Sequence, residues 1–173
     1  ATVFATSMIY AQLKTVPRWN HATTPALFLA FSLIGGALLA GQMMLSAVFA
    51  VITVFLQGYV YASADDRFKS AGSNLATATG LGDRGAVRAF EPPHTGPNYL
   101  LKEMVHTIGR KHAQKLQMIV IFALTITLVT ALLASSHLIG AVAVLTYFTA
   151  ALAQRWLFFA EAEHVVGLYY GKR

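Results

Sequence analysis

The stretch from Pro25 to Ala62 reads PALFLAFSLIGGALLAGQMMLSAVFAVITVFLQGYVYA and contains no charged residue. It lies within a longer run, Trp19 to Ala64, of 46 residues without Asp, Glu, Lys or Arg. A helix that crosses the apolar core of a bilayer needs about 20 residues, so this run is long enough for two crossings. Gly41 and Gln42 form a natural break, which predicts spans at about 25–41 and 42–62.

A second uncharged run, Leu116 to Gln154, covers 39 residues and also fits two crossings. Ser135 to His137 form the predicted turn between spans at about 116–134 and 138–158. The mostly apolar segment Ala1–Leu13 is too short to cross, and the chain begins inside it with alanine. We therefore expect the C-terminal part of a longer protein, which starts in the tail of a partial N-terminal helix.

These spans predict an all-α fold, a polytopic transmembrane helix bundle that forms a single domain over residues 1–173. The composition agrees, since 56% of residues are hydrophobic and only 12% are charged, whereas soluble domains carry roughly 25% charged residues. Soluble globular and disordered classes are excluded. The chain has no cysteine, which excludes disulfides, thiolate chemistry and iron–sulfur clusters held by this chain.

The charged residues follow a simple topological pattern. Two predicted crossings separate each basic cluster from the next, so all 13 Lys and Arg residues and all 7 acidic residues fall on one side. The excess of Lys and Arg in cytoplasmic loops places this side in the cytoplasm, together with loop 63–115 and the C-terminus. The net charge of +6 therefore borders a membrane face, and we expect contact with anionic lipid rather than nucleic acid.

Loop 63–115 is the only segment large enough to meet a soluble partner. Its second part, 98–115, has apolar residues at helical spacing and predicts an amphipathic helix. Such a helix either lies on the membrane surface or forms a docking surface for a cytoplasmic protein, and both can hold.

Polar residues near the last span are candidates for a membrane-level site. Tyr147, Gln154 and Glu161 are spaced to share one helix face, with His164 close to it. This stripe could hydrogen-bond a quinone carbonyl or carry its proton, although such residues are more often polar contacts between helices. Arg155 either lies within the bundle or extends to the interface beside the aromatic residues that follow it.

Three motifs together resemble a known family. They are MIYAQLKTVPRW at Met8–Trp19, EPPHTGPNYLLKEM at Glu91–Met104 and QRWLFFAEA at Gln154–Ala162. They are similar to the membrane anchor subunit of dimethyl sulfoxide reductase-type molybdoenzymes, the DmsC family. The resemblance extends over about residues 5 to 170.

The resemblance implies a haem-free, eight-helix protein of the bacterial inner membrane, of which this chain covers the C-terminal portion. Such anchors bind an iron–sulfur subunit and a molybdenum catalytic subunit and exchange electrons with the quinone pool. The molybdenum cofactor and the clusters are then expected in the partner subunits, with no catalytic residue and no metal ligand in this chain. Candidate terminal substrates are dimethyl sulfoxide, other S- and N-oxides, and sulfite.

The family's quinol-interacting residues lie mainly in its N-terminal half, so none is carried over to a position here. The quinone candidates are therefore those suggested by placement alone: Tyr147, Arg155, Glu161 and His164. The partner-docking candidates lie in the charged loop, mostly in its second motif: His94, Asn98, Tyr99, Lys102, Glu103, Arg110 and Lys111.

Two other functions remain open from the sequence. A transporter or channel fragment would predict charged or broken helices at the middle of the bilayer, whereas the predicted spans are uncharged there. A purely structural anchor would leave the quinone entirely to the N-terminal half, and nothing in the sequence argues against that.

Overall fold

The structure, a computed structural model, describes residues 1–91 and 111–170. Its long helices are α1 (Thr2–Ala11), α2 (Thr23–Leu39), α3 (Met43–Ser70), α5 (Ala113–Leu132) and α6 (His137–Ala160). A short helix, α4 (Leu75–Thr79), follows α3, and 3-10 turns occupy Gly82–Arg84 and Val165–Tyr170. The described residues contain no strand, so the predicted all-α bundle is confirmed.

Four helices enclose the core in a closed ring. The hairpin of α2 and α3 packs against the hairpin of α5 and α6, with α3 beside α5 and α2 beside α6, while α1 packs on α2. The core contains Ile34, Ala50, Leu124 and Leu157, each almost fully buried. Both hairpin turns therefore lie at one end, and the charged residues that the structure describes lie toward the other.

Helices α3, α5 and α6 are long and apolar enough to cross a membrane. Helix α2 has 17 residues and is a shorter apolar helix, so the predicted set of four spans remains a prediction. Helix α3 continues to Ser70, beyond the predicted span end at residue 62. Charge therefore indicates where a span leaves the apolar layer, and the helix itself extends past that point.

The outer surface of the bundle is apolar and part of its interior is polar. Large apolar side chains such as Phe55 and Leu138 are more than 70% exposed. Several polar side chains are buried instead: Ser46, Thr53, Gln57, Thr127 and Gln154. This distribution is expected for helices surrounded by lipid, because polar groups there must find partners within the protein.

Helix ends are defined by local hydrogen bonds. Gly41 has φ 72° in the turn between α2 and α3, a conformation that glycine adopts without strain. The Ser136 hydroxyl accepts a hydrogen bond from the Ile139 N–H at the start of α6. Helix α2 begins at Thr23, whose N–H donates to His21 Nδ1, so it starts two residues before the predicted span.

Candidate functional site

The charged end of the bundle contains a buried polar site between α2, α3 and α6. The segment after α1 closes over it, with Val16 and Trp19 buried. The Trp19 indole stacks on Phe158 at 4.9 Å between ring centroids, and its Nε1–H donates to the Phe158 carbonyl oxygen at 2.9 Å. These contacts fix the neighbouring Arg18 side chain over the end of α6.

Arg18 is surrounded by three carboxylates. Its Nη2 lies 2.8 Å from Asp65 Oδ1, and two further nitrogens lie 3.9 Å from Glu161 and from Glu163. Asp65 is 80% exposed, whereas the Glu161 side chain is 13% exposed. The guanidinium therefore connects a largely buried carboxylate to one that is in contact with solvent.

Glu161 lies directly after the last residue of α6, at the inner side of this cluster. Burial raises the pKa of its carboxyl group, while Arg18 and a hydrogen bond donated by Gln117 Nε2 act in the opposite direction. A buried carboxyl group favours its neutral form because ionisation is penalised away from water. Glu161 can therefore hold and release a proton.

A small cavity of about 50 Å³ lies beside Glu161. It is lined by side chains of the charged end, among them Arg18, Gln57, Tyr61, Gln154 and Glu161. A cavity needs roughly 10–15 Å³ to hold one water molecule. This cavity therefore has room for a few water molecules and is too small for an aromatic ligand. We call it the polar cavity.

Three buried atoms at the polar cavity lack a hydrogen bond of good geometry among the described residues: Arg18 Nε, Gln57 Oε1 and the Tyr61 hydroxyl. Gln57 nevertheless lies close enough to Tyr61 to interact with its hydroxyl. Buried polar groups are almost always paired with protein or ordered water. On the opposite wall, Arg67 donates hydrogen bonds to the hydroxyls of Thr23 and Ser63. The polar cavity therefore combines incompletely hydrogen-bonded polar groups with room for water.

A larger groove of about 480 Å³ lies between α1, α2 and α6 on the apolar exterior. Its walls include Thr6, Phe28 and Phe148, and Arg155 lies at one end. The Arg155 guanidinium packs 3.9 Å above the centre of the Phe28 ring, a cation–π contact. We call this space the lipid-facing groove, and Leu27, Phe28 and Gln154 separate it from the polar cavity.

The four quinone candidates occupy different surroundings. Arg155 lines the lipid-facing groove, and Glu161 lines the polar cavity. The Tyr147 hydroxyl donates to the Phe31 carbonyl oxygen at 2.7 Å and so connects α6 to α2. The His164 ring lies edge-on to Trp19 with centroids 5.9 Å apart. The structure thus places Arg155 and Glu161 in two spaces that share Gln154 as a wall.

Most partner-docking candidates, His94 to Arg110, lie outside the described residues. Lys111 is described and is exposed at the charged end.

Several residues of the polar site were not predicted from the sequence: Arg18, Asp65, Gln57, Tyr61 and Gln117. Gln57 and Tyr61 are four residues apart in an apolar run and so share one helix face. This spacing could have predicted a polar site on α3. The pairing of Arg18 with Asp65 and Glu161 joins distant parts of the chain and leaves no local pattern.

The charged cluster around Arg18 does not have the composition of a metal site. In residues 1–91 and 111–170, no three His, Asp or Glu side chains come together as metal ligands, and the whole chain lacks cysteine. In the part of the chain described, the cluster is therefore held by the guanidinium and by hydrogen bonds.

Comparison with known proteins gives one informative similarity. The chain is 26% identical over 187 aligned residues to a protein of Allochromatium vinosum that is a subunit of sulfite dehydrogenase. The alignment covers 98% of this chain and 57% of the relative, so the chain spans little more than half of that protein's length. No family model matches, and no solved structure matches. The chain is thus similar to a subunit of an oxidoreductase, and its predicted relation to dimethyl sulfoxide reductase anchors remains a prediction.

Proposed function

We propose that this chain is part of the membrane anchor subunit of a molybdenum and iron–sulfur oxidoreductase complex and mediates electron exchange with the quinone pool. The observation that carries the proposal is the pairing of two spaces at the charged end of the bundle. The lipid-facing groove has the size of a small-molecule site, about 300–1,000 Å³ in most proteins. The polar cavity directly behind it contains groups that can exchange protons.

The lipid-facing groove suits a quinone in size, polarity and depth. Apolar and aromatic side chains form most of it, which suits an isoprenoid quinone ring and the start of its tail. Arg155 lies five residues before the end of α6, about 8 Å along the helix axis at 1.5 Å per residue. In the described residues it has no carboxylate partner, so its guanidinium is available to donate to a quinone carbonyl oxygen.

The other candidates take supporting roles in this proposal. Glu161 exchanges protons from the polar cavity, while Tyr147 maintains the packing of α2 against α6 behind the groove. His164 packs against Trp19 and helps to hold the segment that carries Arg18. No residue in the chain performs the molybdenum chemistry, because that reaction belongs to the catalytic partner.

This chain has no cysteine and so no thiolate ligand for an iron–sulfur cluster, and in this proposal the electrons leave the quinone through a partner. We therefore assign the clusters to an iron–sulfur subunit and the molybdenum cofactor to a catalytic subunit. The charged end and loop 63–115 are the proposed docking surface, with the charged segments in the cytoplasm and the helices in the bacterial inner membrane. The similarity to a sulfite dehydrogenase component supports this class of complex.

The experiment that tests the quinone site replaces Arg155 by Gln in the assembled complex. We expect quinol KM to rise roughly tenfold or more, since a charged hydrogen bond contributes about 1.5–3 kcal/mol. The matched control is Arg84→Gln, which removes a basic residue from an exposed loop turn. An unchanged quinol KM in Arg155→Gln would remove the groove from the proposal and leave a purely structural anchor.

The competing transporter function makes a different prediction for the same preparation. A transporter would retain its activity without soluble partners and would bind solute near the middle of the bilayer. The described helices instead place the charged and unpartnered groups at one end of the bundle. We therefore favour the anchor subunit.

A further inference from the structure

We infer that the polar cavity holds water molecules that carry protons between the lipid-facing groove and the aqueous phase, with Glu161 as the relay and Asp65 as the exit. This inference rests on the proposed function, because it supplies the proton path for the quinone in the groove. It adds the groups that form this path and the order in which a proton meets them.

The first step is the contact between the two spaces. Gln154 lines both the lipid-facing groove and the polar cavity, together with Leu27 and Phe28. Among these three side chains only Gln154 has polar atoms, so its amide is the polar point of the wall, where water bridges the two spaces. Gln154 is itself buried, and buried polar groups are almost always hydrogen-bonded to protein or water.

The second step is the water inside the polar cavity. Gln57 is 1% exposed, and its Oε1 lacks a hydrogen bond of good geometry in the described part of the chain. The same holds for Arg18 Nε and for the Tyr61 hydroxyl, which interacts with Gln57. One water needs two to four polar partners, and these three groups with Gln154 and Glu161 supply enough for a short chain of water.

The third step is the exit to solvent. Glu161 lies 3.9 Å from Arg18, and Arg18 in turn contacts Asp65 at 2.8 Å. Asp65 is 80% exposed, so it is in direct exchange with bulk water. A guanidinium stays protonated in proteins and does not relay a proton. Arg18 therefore holds the two carboxylates near each other, and the proton moves between them through water beside it.

The charges around Glu161 act in both directions on its protonation. Three carboxylates, those of Asp65, Glu161 and Glu163, surround the single guanidinium of Arg18. The other groups that face the polar cavity are Tyr61 and Arg67, and Arg67 is engaged with hydroxyls on the far wall. Burial has the largest effect and raises the pKa of Glu161; Arg18 lowers it, and Asp65 and Glu163 each raise it to a smaller extent.

The proton balance is that of quinol oxidation. Each quinol loses two O–H protons and two electrons and becomes a quinone. The electrons pass to an iron–sulfur cluster of the partner subunit, and the protons pass through water beside Gln154 to Glu161 and then, through water beside Arg18, to Asp65 and solvent. Quinone reduction uses the same groups in the opposite order.

The test compares Glu161→Gln with Asp66→Asn in the complete complex in native membranes or liposomes. Asp66 is an exposed neighbour of Asp65 that pairs with Lys69 on the same helix, so it is a matched carboxylate outside the path. We expect Glu161→Gln to lower kcat on the order of 10²-fold, the scale for losing a positioned proton-transfer group, with little change in quinol KM. Glu161→Asp should restore part of the rate and shift its pH profile.

A second readout in the same preparation does not depend on quinol turnover. Infrared difference spectra recorded on a change of pH should show a protonated Glu161 carboxyl band that shifts quickly in D₂O and is absent from Glu161→Gln. A band that does not exchange with D₂O, or turnover of Glu161→Gln equal to that of Asp66→Asn, would overturn the proton path. Wild-type protein that shows the exchanging band but no quinol turnover would instead refute the proposed quinone function and leave only a hydrated carboxyl cluster.

Discussion

At the scale of single residues, the unusual feature is a largely buried glutamate beside an arginine that it shares with two other carboxylates. Glu161 would be expensive to bury in ionised form without Arg18 and Gln117. Their contacts reduce this penalty, and burial still raises the pKa of the Glu161 carboxyl group. The residue thus combines a structural contact with the capacity to change its protonation.

This balance predicts how stability depends on pH. The pKa of Glu161 is higher in the folded than in the unfolded chain, so its contribution is fully present below the ordinary glutamate pKa and is lost as the pH rises through the raised value. We expect the Tm of the detergent-solubilised wild type to fall over that range and the Tm of Glu161→Gln to change less.

The measurement is thermal unfolding of both proteins across a series of pH values, with Asp66→Asn as the control. Asp66 is exposed, so this variant should follow the wild type. If Tm depends on pH in the same way for wild type and Glu161→Gln, Glu161 ionises in the folded protein as it does in the unfolded chain.

At the scale of the helices, the packing of α2 against α6 depends on one glycine. A Cβ atom at Gly35 would lie 2.6 Å from the Tyr147 hydroxyl and 2.9 Å from its ring. That ring is almost fully buried and its hydroxyl donates to the Phe31 carbonyl oxygen. The two helices approach closely because position 35 has no side chain, as is common at helix contacts in membranes.

Gly35→Ala should therefore destabilise the bundle by about 1–3 kcal/mol, the usual range for overpacking a filled contact. Gly36→Ala is the matched control, since no atom lies within 4 Å of its added Cβ, and it should be neutral or stabilising by about 0.5–1 kcal/mol. The measurement is reversible unfolding in detergent. Equal effects at the two positions would contradict the close contact.

Much of the helical organisation could be predicted from the sequence because lipid imposes a strong rule on composition. Two long uncharged runs predicted the all-α bundle, and the turn residues Gly41 and Ser136 lie at helix ends in the structure. The length of α3 was not predicted, since its last turns, residues 63–70, are mostly polar but remain helical. A change of polarity locates the edge of the apolar layer more directly than it locates the end of a helix.

The sequence predicts only part of the candidate site. Helical spacing selected Glu161 and placed it with Gln154, because a helix continued to residue 161 would present both on one face. The helix ends at Ala160, and both side chains still line the polar cavity. It did not reveal that Arg18 and Asp65 join Glu161, since these residues come from three separate segments. It also gave no sign of the polar cavity, which depends on how closely α2, α3 and α6 approach.

At the scale of the whole molecule, the bundle has a clear polarity from one end to the other. Its apolar outer surface and short turns suit a membrane environment, and the described charged residues gather at the opposite end with Lys111 exposed there. The lipid-facing groove, the polar cavity and the charged cluster follow one another toward that end. This order is the one expected of a subunit that passes protons and electrons between a membrane quinone and a soluble partner.

The most direct test of the anchor role is purification of the tagged protein from native membranes in mild detergent, followed by metal analysis and identification of the bound proteins. We predict two co-purifying soluble subunits, with molybdenum in one and iron in the other. Recovery of the protein alone and without either metal would contradict the anchor role and favour a transporter or channel.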